Sequence, residues 1–325
     1  MWNGSETGSN AALVRLGTLL RPDGTIRAWW RVSFFLLASI AGGLFAGNVA
    51  YGIISLTPLV NIAREYSFSL ADTGELLALL IGTYASLRIV DRVRDKPWSR
   101  VGLGLEGLRP RPMLIGLAVG TLGILVPCAL LLATHRFGFE KQPAEIVSWW
   151  GASRSAFLML LPAAFAEELA MRGYLLTTLI EGVGTPFAIA ITSVLFALMH
   201  LLNPDPTVLS TAMVALAGLF LATVRLTTGS LWAAWIAHLA WNLVQAVALH
   251  APLSGLPLPT PGYRLVDRGP AWLTGGSWGP EGGLAAAAGM LVATFLLVKV
   301  ARPRHFAGDM RIGWKIDPEW RRNNE

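Results

Sequence analysis

Eight long apolar stretches follow one another along this chain, at roughly residues 32–56, 70–90, 113–133, 156–180, 186–202, 207–224, 230–249 and 282–298. A helix needs about 20 mostly apolar residues to cross a bilayer core, where its backbone N–H and C=O groups must be paired internally. The pattern therefore predicts an all-α polytopic membrane protein with eight transmembrane helices. Composition agrees, because 54% of the 325 residues are hydrophobic and only 14% charged. An ordinary soluble domain carries roughly 25% charged residues. A cytosolic enzyme and a disordered chain are both excluded. The net charge of +6 forms no basic stripe interleaved with aromatics, so no nucleic-acid partner is expected.

Most of the 26 Lys and Arg residues flank alternate connectors, with Arg92, Arg94, Lys96, Arg100, Arg109 and Arg111 between the second and third stretches. The positive-inside rule then places both termini in the cytoplasm. The expected organisation is a cytoplasmic or interfacial segment 1–31, a membrane domain 32–300 and a cytoplasmic tail 301–325. Trp29, Trp30 and Arg31 read as an interfacial anchor before the first span. Asp72 and Glu75 read as N-terminal capping acids of the second span. Asn48 reads as an interhelical hydrogen bond, and the lone Cys128 as a small core residue. His135, His250 and His305 read as interfacial. The Gly- and Pro-rich connector 250–281 is expected to be an ordered loop over the bundle.

Ionisable groups inside such spans are costly, about 2.5–3.5 kcal/mol each at the bilayer centre, and mark functional sites. Glu167, Glu168 and Arg172 lie in the fourth stretch, His200 ends the fifth, and His238 with Asn242 lie in the seventh. Glu168 and Arg172 are four residues apart with the acid first, the favourable order for an ion pair. Glu167 is turned about 100° away and is the carboxylate left for chemistry. His238 and Asn242, also four apart, project toward one point. The competing reading of the acids and Arg172 is a structural ion-pair network. His200 alone would read as a packed core histidine.

The chain has no suitable Cys nucleophile, no G-x-S-x-G elbow and no H-E-x-x-H pair. A carboxylate beside an imidazole can hold and deprotonate a water. A second imidazole and an Asn amide can donate to the oxyanion formed when that water attacks a carbonyl. These parts fit water-mediated amide hydrolysis inside a membrane.

Glu-Glu-x-x-x-Arg in one span, Phe-x-x-x-His in the next and His-x-x-x-Asn two spans later, within about residues 156–248, resemble the three motifs of the CPBP (CAAX protease and bacteriocin-processing, Abi) family. That family is one of intramembrane glutamic-type endopeptidases and includes the type II CAAX prenyl endopeptidases and bacteriocin self-immunity proteins. The Gly229-Ser230-Leu231-Trp232 lead-in is similar too. The resemblance implies catalytic roles for Glu167, His200, His238 and Asn242, with Glu168 and Arg172 as the supporting ion pair. It implies eight helices, membrane-embedded or membrane-anchored protein or peptide substrates, and residence in a bacterial plasma membrane. The alternative is a non-catalytic immunity or chaperone-like protein of the same fold. One Glu and two His are zinc-ligand types, but Asn is a poor zinc ligand. A metal-free, cofactor-free glutamate mechanism uses all four residues and is the expectation, with zinc as the alternative.

Overall fold

The computed structural model describes residues 19–20, 25–55, 67–141, 148–258 and 262–300. Most of the N-terminal segment, the tail from 301 onward and His305 lie outside the described residues. Helix α1 spans Ala28–Ser55. Helix α2 spans Ser67–Ala85 and ends in a π-helical turn, Ser86–Val90. Helix α3 spans Pro110–Ala133. Helix α4, Trp149–Glu168, runs through a π-helical turn, Leu169–Tyr174, into α5, Leu175–Val183. Then follow α6 (Thr185–Met199), α7 (Val208–Thr228), α8 (Leu231–Leu243, prolonged by the π turn Val244–Ala248) and α9 (Leu284–Val300). Each of the eight apolar stretches thus contains a helix.

Local chemistry sets the helix ends. Pro110 opens α3, where its missing N–H is no loss. Ser148 and Ser230 accept from the third residue of α4 and α8. Thr207 and Ser210 form a reciprocal capping box on α7. Gly184 (φ +86) makes the break between α5 and α6 that an L side chain would resist.

Among the described residues, six helical segments are long and apolar enough to cross a membrane: Ala28–Ala50, Ala71–Val90, Pro110–Ala133, Thr185–Leu202, Val208–Thr228 and Leu231–Ala248. The α4–α5 rod falls outside this set because Arg154, Glu167, Glu168, Arg172 and Glu181 lower its hydropathy. The apolar part of α9, Leu284–Lys299, is too short to qualify. The described residues are 78% helical but not all-α. Strand β1 (Phe137–Lys141) pairs antiparallel with β2 (Tyr263–Asp267), Phe137 facing Asp267. The 250–281 connector is therefore a strand and short helices rather than a plain loop.

The connectors meet in two groups. Arg31 at the start of α1 bonds Asp91 just after α2 (2.7 Å) and Glu181 in α5, and Arg100 bonds Glu181 at 2.8 Å. Leu231 N–H donates to Gly102 O and the Ser230 hydroxyl to Gly107 O, each at 2.9 Å. In the other group, β1 pairs with β2, and Asn203 Nδ2 donates to Ser254 O at 3.1 Å. Arg31 is thus a buried ion-pair partner, not an interfacial anchor. Trp29 and Trp30 do stack exposed, 4.0 Å apart. Asn48 bonds Leu44 O within its own helix rather than a neighbour.

Packing relies on small residues, since lipid tails give apolar faces no reason to associate tightly. On α3, a Cβ at Gly116 would overlap the Ala233 carbonyl of α8, and one at Gly120 the Ala237 carbonyl. Cys128 packs with Ile124, Phe220 and Trp241 in the α3–α7–α8–α9 core. Gly120→Ala is expected to cost about 1–3 kcal/mol through backbone displacement. Gly47→Ala, with open space around it, is the neutral control, and melting temperatures in detergent compare the two.

Candidate active site

Glu167 and Glu168 end α4 where the regular ladder gives way to the π turn. Within that turn Gly173 adopts a non-helical backbone (φ −80, ψ −117). Such wide turns are rare and recur at functional sites. Glu168 and Arg172 are both fully buried, and Arg172 Nη1 donates to Glu168 Oε1 at 3.0 Å. The expected ion pair is present. Arg172 Nη2 also donates to Gly218 O at 3.2 Å, and its guanidinium lies 4.3 Å from the Phe196 ring centre. A Cβ on Gly218 would stand 2.8 Å from Ser193 Cα, so the close contact of α7 with α6 at this point requires glycine.

Glu168 has a second partner that its spacing did not reveal. His238 Nδ1 lies 3.0 Å from the same Oε1. A carboxylate accepts, so Nδ1 carries the proton and the ring is held with Nε2 outward. Nε2 stands 3.7 Å from Glu167 Oε2. The two acids, expected on different helix faces, thus flank one imidazole. They differ in access, with the Glu167 side chain 31% exposed against 0% for Glu168. Glu167 Oε2 is buried and accepts no hydrogen bond from the described residues.

His200 Nδ1 is 2.8 Å from Phe196 O. A carbonyl can only accept, so the proton sits on Nδ1 and Nε2 is the free position. The Phe196 ring meets both imidazoles edge-on, at 4.7 Å from His200 and 6.0 Å from His238. Phe196 thereby carries three contacts, although the sequence reading gave it no role.

Glu167, His200, His238 and Asn242 all line a single cavity of about 300 Å³. Glu168 and Arg172 stand behind it. Its remaining wall is mostly apolar, including Met159, Met199, Met213 and Met290. Two further acids line it, Asp72 and Glu281. Asp72 is not an N-cap, since α2 begins at Ser67 and places it in the second turn, facing the cavity. Glu281 sits in the turn before α9, at the end of the connector read as a loop, and no local pattern distinguished it. Among the described residues, no group of three or more His, Cys, Asp or Glu side chains is arranged to hold a metal ion.

Residues 149–244 match the family model Type II CAAX prenyl endopeptidase Rce1-like. Over this segment, under a third of the chain, the sequence is similar to that family. The family is one of proteases, and the matched stretch contains Glu167, Glu168, Arg172, His200, His238 and Asn242. Asp72 and Glu281 fall outside the part that the family describes. No curated protein and no solved structure matches the chain.

Proposed function

We propose that this chain is an intramembrane endopeptidase that cleaves membrane-embedded or membrane-anchored proteins near their C-terminus, in the manner of CAAX processing. The observation that carries the reading is a buried carboxylate oxygen without a hydrogen-bond donor, Glu167 Oε2, in a cavity shared with two imidazoles and a carboxamide. A water held between Glu167 and His200 Nε2 donates both its protons to acceptors, which leaves its oxygen lone pair directed at a substrate carbonyl. Glu167 takes one proton as the C–O bond forms. The Asn242 amide and His238 Nε2–H, with Nδ1–H given to Glu168, receive the developing oxyanion. Collapse breaks the C–N bond, and Glu167 returns its proton to the leaving amine.

The same reading gives the chain eight membrane crossings with both termini cytoplasmic, in a bacterial plasma membrane. The grouping of connectors supports it. Arg31, Asp91, Arg100 and Glu181 join the start of the first span with the 2–3 connector and the end of the fourth, the 2–3 and 6–7 connectors meet at Gly102 and Gly107, and the 3–4 and 5–6 connectors meet 7–8. The substrate class rests on the family and on the methionine-lined, mainly apolar cavity, which suits a lipid-bearing chain.

The mechanism needs no metal. Asn242→Ala is expected to lower kcat by about 10²–10³, the loss of one oxyanion donor, with KM little changed. Protein stripped with a strong chelator and shown metal-free by elemental analysis should keep full activity. Stoichiometric zinc whose removal stops hydrolysis and whose return restores it would overturn this mechanism.

A further inference from the structure

One wall of the cavity comes from outside the matched segment, and its polar contacts converge on Glu281. Both carboxylate oxygens are engaged. Oε1 accepts from the Ser254 backbone N–H and from the Ser254 hydroxyl, each at 2.6 Å, and Oε2 accepts from Trp241 Nε1 at 3.3 Å. A carboxylate suits this place because it can accept three such bonds and donates none. Burial pushes the Glu281 carboxyl up from its usual range, while the Ser254 bonds and the nearby His200 and Trp241 pull it down.

Each partner leads to a group assigned chemistry above. Trp241 immediately precedes Asn242 and lies three residues after His238. The Ser254 carbonyl accepts from Asn203 Nδ2 at 3.1 Å, and the Asn203 N–H donates to His200 O at 3.1 Å. The strap 250–258 is tied to α8 a second time, by Gln245 Nε2 to Pro252 O at 2.6 Å and Ala251 N–H to Gln245 O at 3.1 Å. The strap turns sharply between these ties. Ser254 (φ +50) and Gly255 (φ +80) are both left-handed, and a Cβ on Gly255 would overlap Pro204 O. The turn before α9, the strap, the end of α8 and the connector after His200 therefore form one polar knot.

We propose that Glu281 is a positioning residue of this site, holding the strap closed over the cavity and fixing the register in which His200 and Asn242 face the substrate. The proposal rests on the endopeptidase reading for its kinetic consequence, though not for its structural one. Glu281→Gln replaces the acceptor opposite Trp241 Nε1 with a second donor and keeps the side-chain volume.

The test uses the full chain in lipid nanodiscs with a membrane-anchored peptide library as substrate. Glu281→Gln should lower kcat roughly 10- to 100-fold, as expected when reacting groups are misplaced by up to an ångström, with KM little changed. In the same protein, hydrogen–deuterium exchange at the Ser254 and Asn203 amides should be faster than in wild type. Ser254→Ala should show the same split, and combining the two should add little because both act through the same bonds. Wild-type kcat in folded Glu281→Gln, or a loss of kcat with unchanged exchange at those amides, would overturn the proposal. If Glu281→Gln does not accumulate, Ser254→Ala decides by the same two readouts. If wild type cleaves nothing, the endopeptidase reading fails. The exchange measurement still decides the knot, with faster exchange supporting it and unchanged exchange refuting it.

Discussion

Glu167→Gln is expected to lower turnover by about 10²–10⁴, the usual contribution of a general base, while fold and abundance stay at wild-type levels. The amide keeps the size of the carboxylate and cannot take a proton from water. Glu167 holds no ion pair with an Arg or Lys among the described residues, and His238 Nε2 stands 3.7 Å from it. Little stability therefore depends on its charge. Glu168→Gln should behave differently. It weakens two bonds made by one oxygen, to Arg172 and to His238, so stability and activity should fall together. Turnover and melting temperature measured on both variants separate the roles. Near wild-type turnover in Glu167→Gln, beside a fully inactive but well-folded Glu168→Gln, would reverse the assignment.

Arg172→Leu is expected to be among the most destabilising single changes in the bundle. Both members of the pair are completely buried, and removing one partner of such a pair costs about 3–5 kcal/mol because the other charge is left stranded. The variant also loses the bond to Gly218 O and the guanidinium packed on Phe196. Phe196 touches both imidazoles, so activity should be lost as well. Glu168→Gln in the Arg172→Leu background removes the stranded charge and should recover part of the stability, a non-additivity that a double-mutant cycle reads directly. An Arg172→Leu protein with an unchanged melting temperature in detergent would contradict the ion-pair account.

The sequence makes the helices and the inner site legible for physical reasons. Apolar length alone places a helix in each of the eight stretches. Helical spacing pairs Glu168 with Arg172 and puts His238 beside Asn242, because contacts three or four residues apart follow from the pitch. The remaining features depend on contacts between distant residues. Arg31 meets Asp91 and Glu181 across 60 and 150 positions, so it reads locally as one more basic residue before a span. The second bond of Glu168 crosses 70 positions to His238. Ideal helical geometry puts Glu167 on another face, and both acids nevertheless reach the same ring. Asp72 reads as a cap only while the helix is taken to start near residue 70, and three more residues of helix turn it toward the cavity. Glu281 lies in a Gly- and Pro-rich stretch without periodicity, where nothing local separates a solvated acid from the centre of a polar knot.

The most direct measurement presents the purified chain in nanodiscs with membrane-anchored peptides of CAAX-type C-terminus, and identifies products by mass beside the Glu167→Gln protein. The account predicts that wild type releases a C-terminal fragment by hydrolysis of one peptide bond, and that Glu167→Gln releases essentially none. Equal product from both proteins, or none from a well-folded wild type, would contradict it.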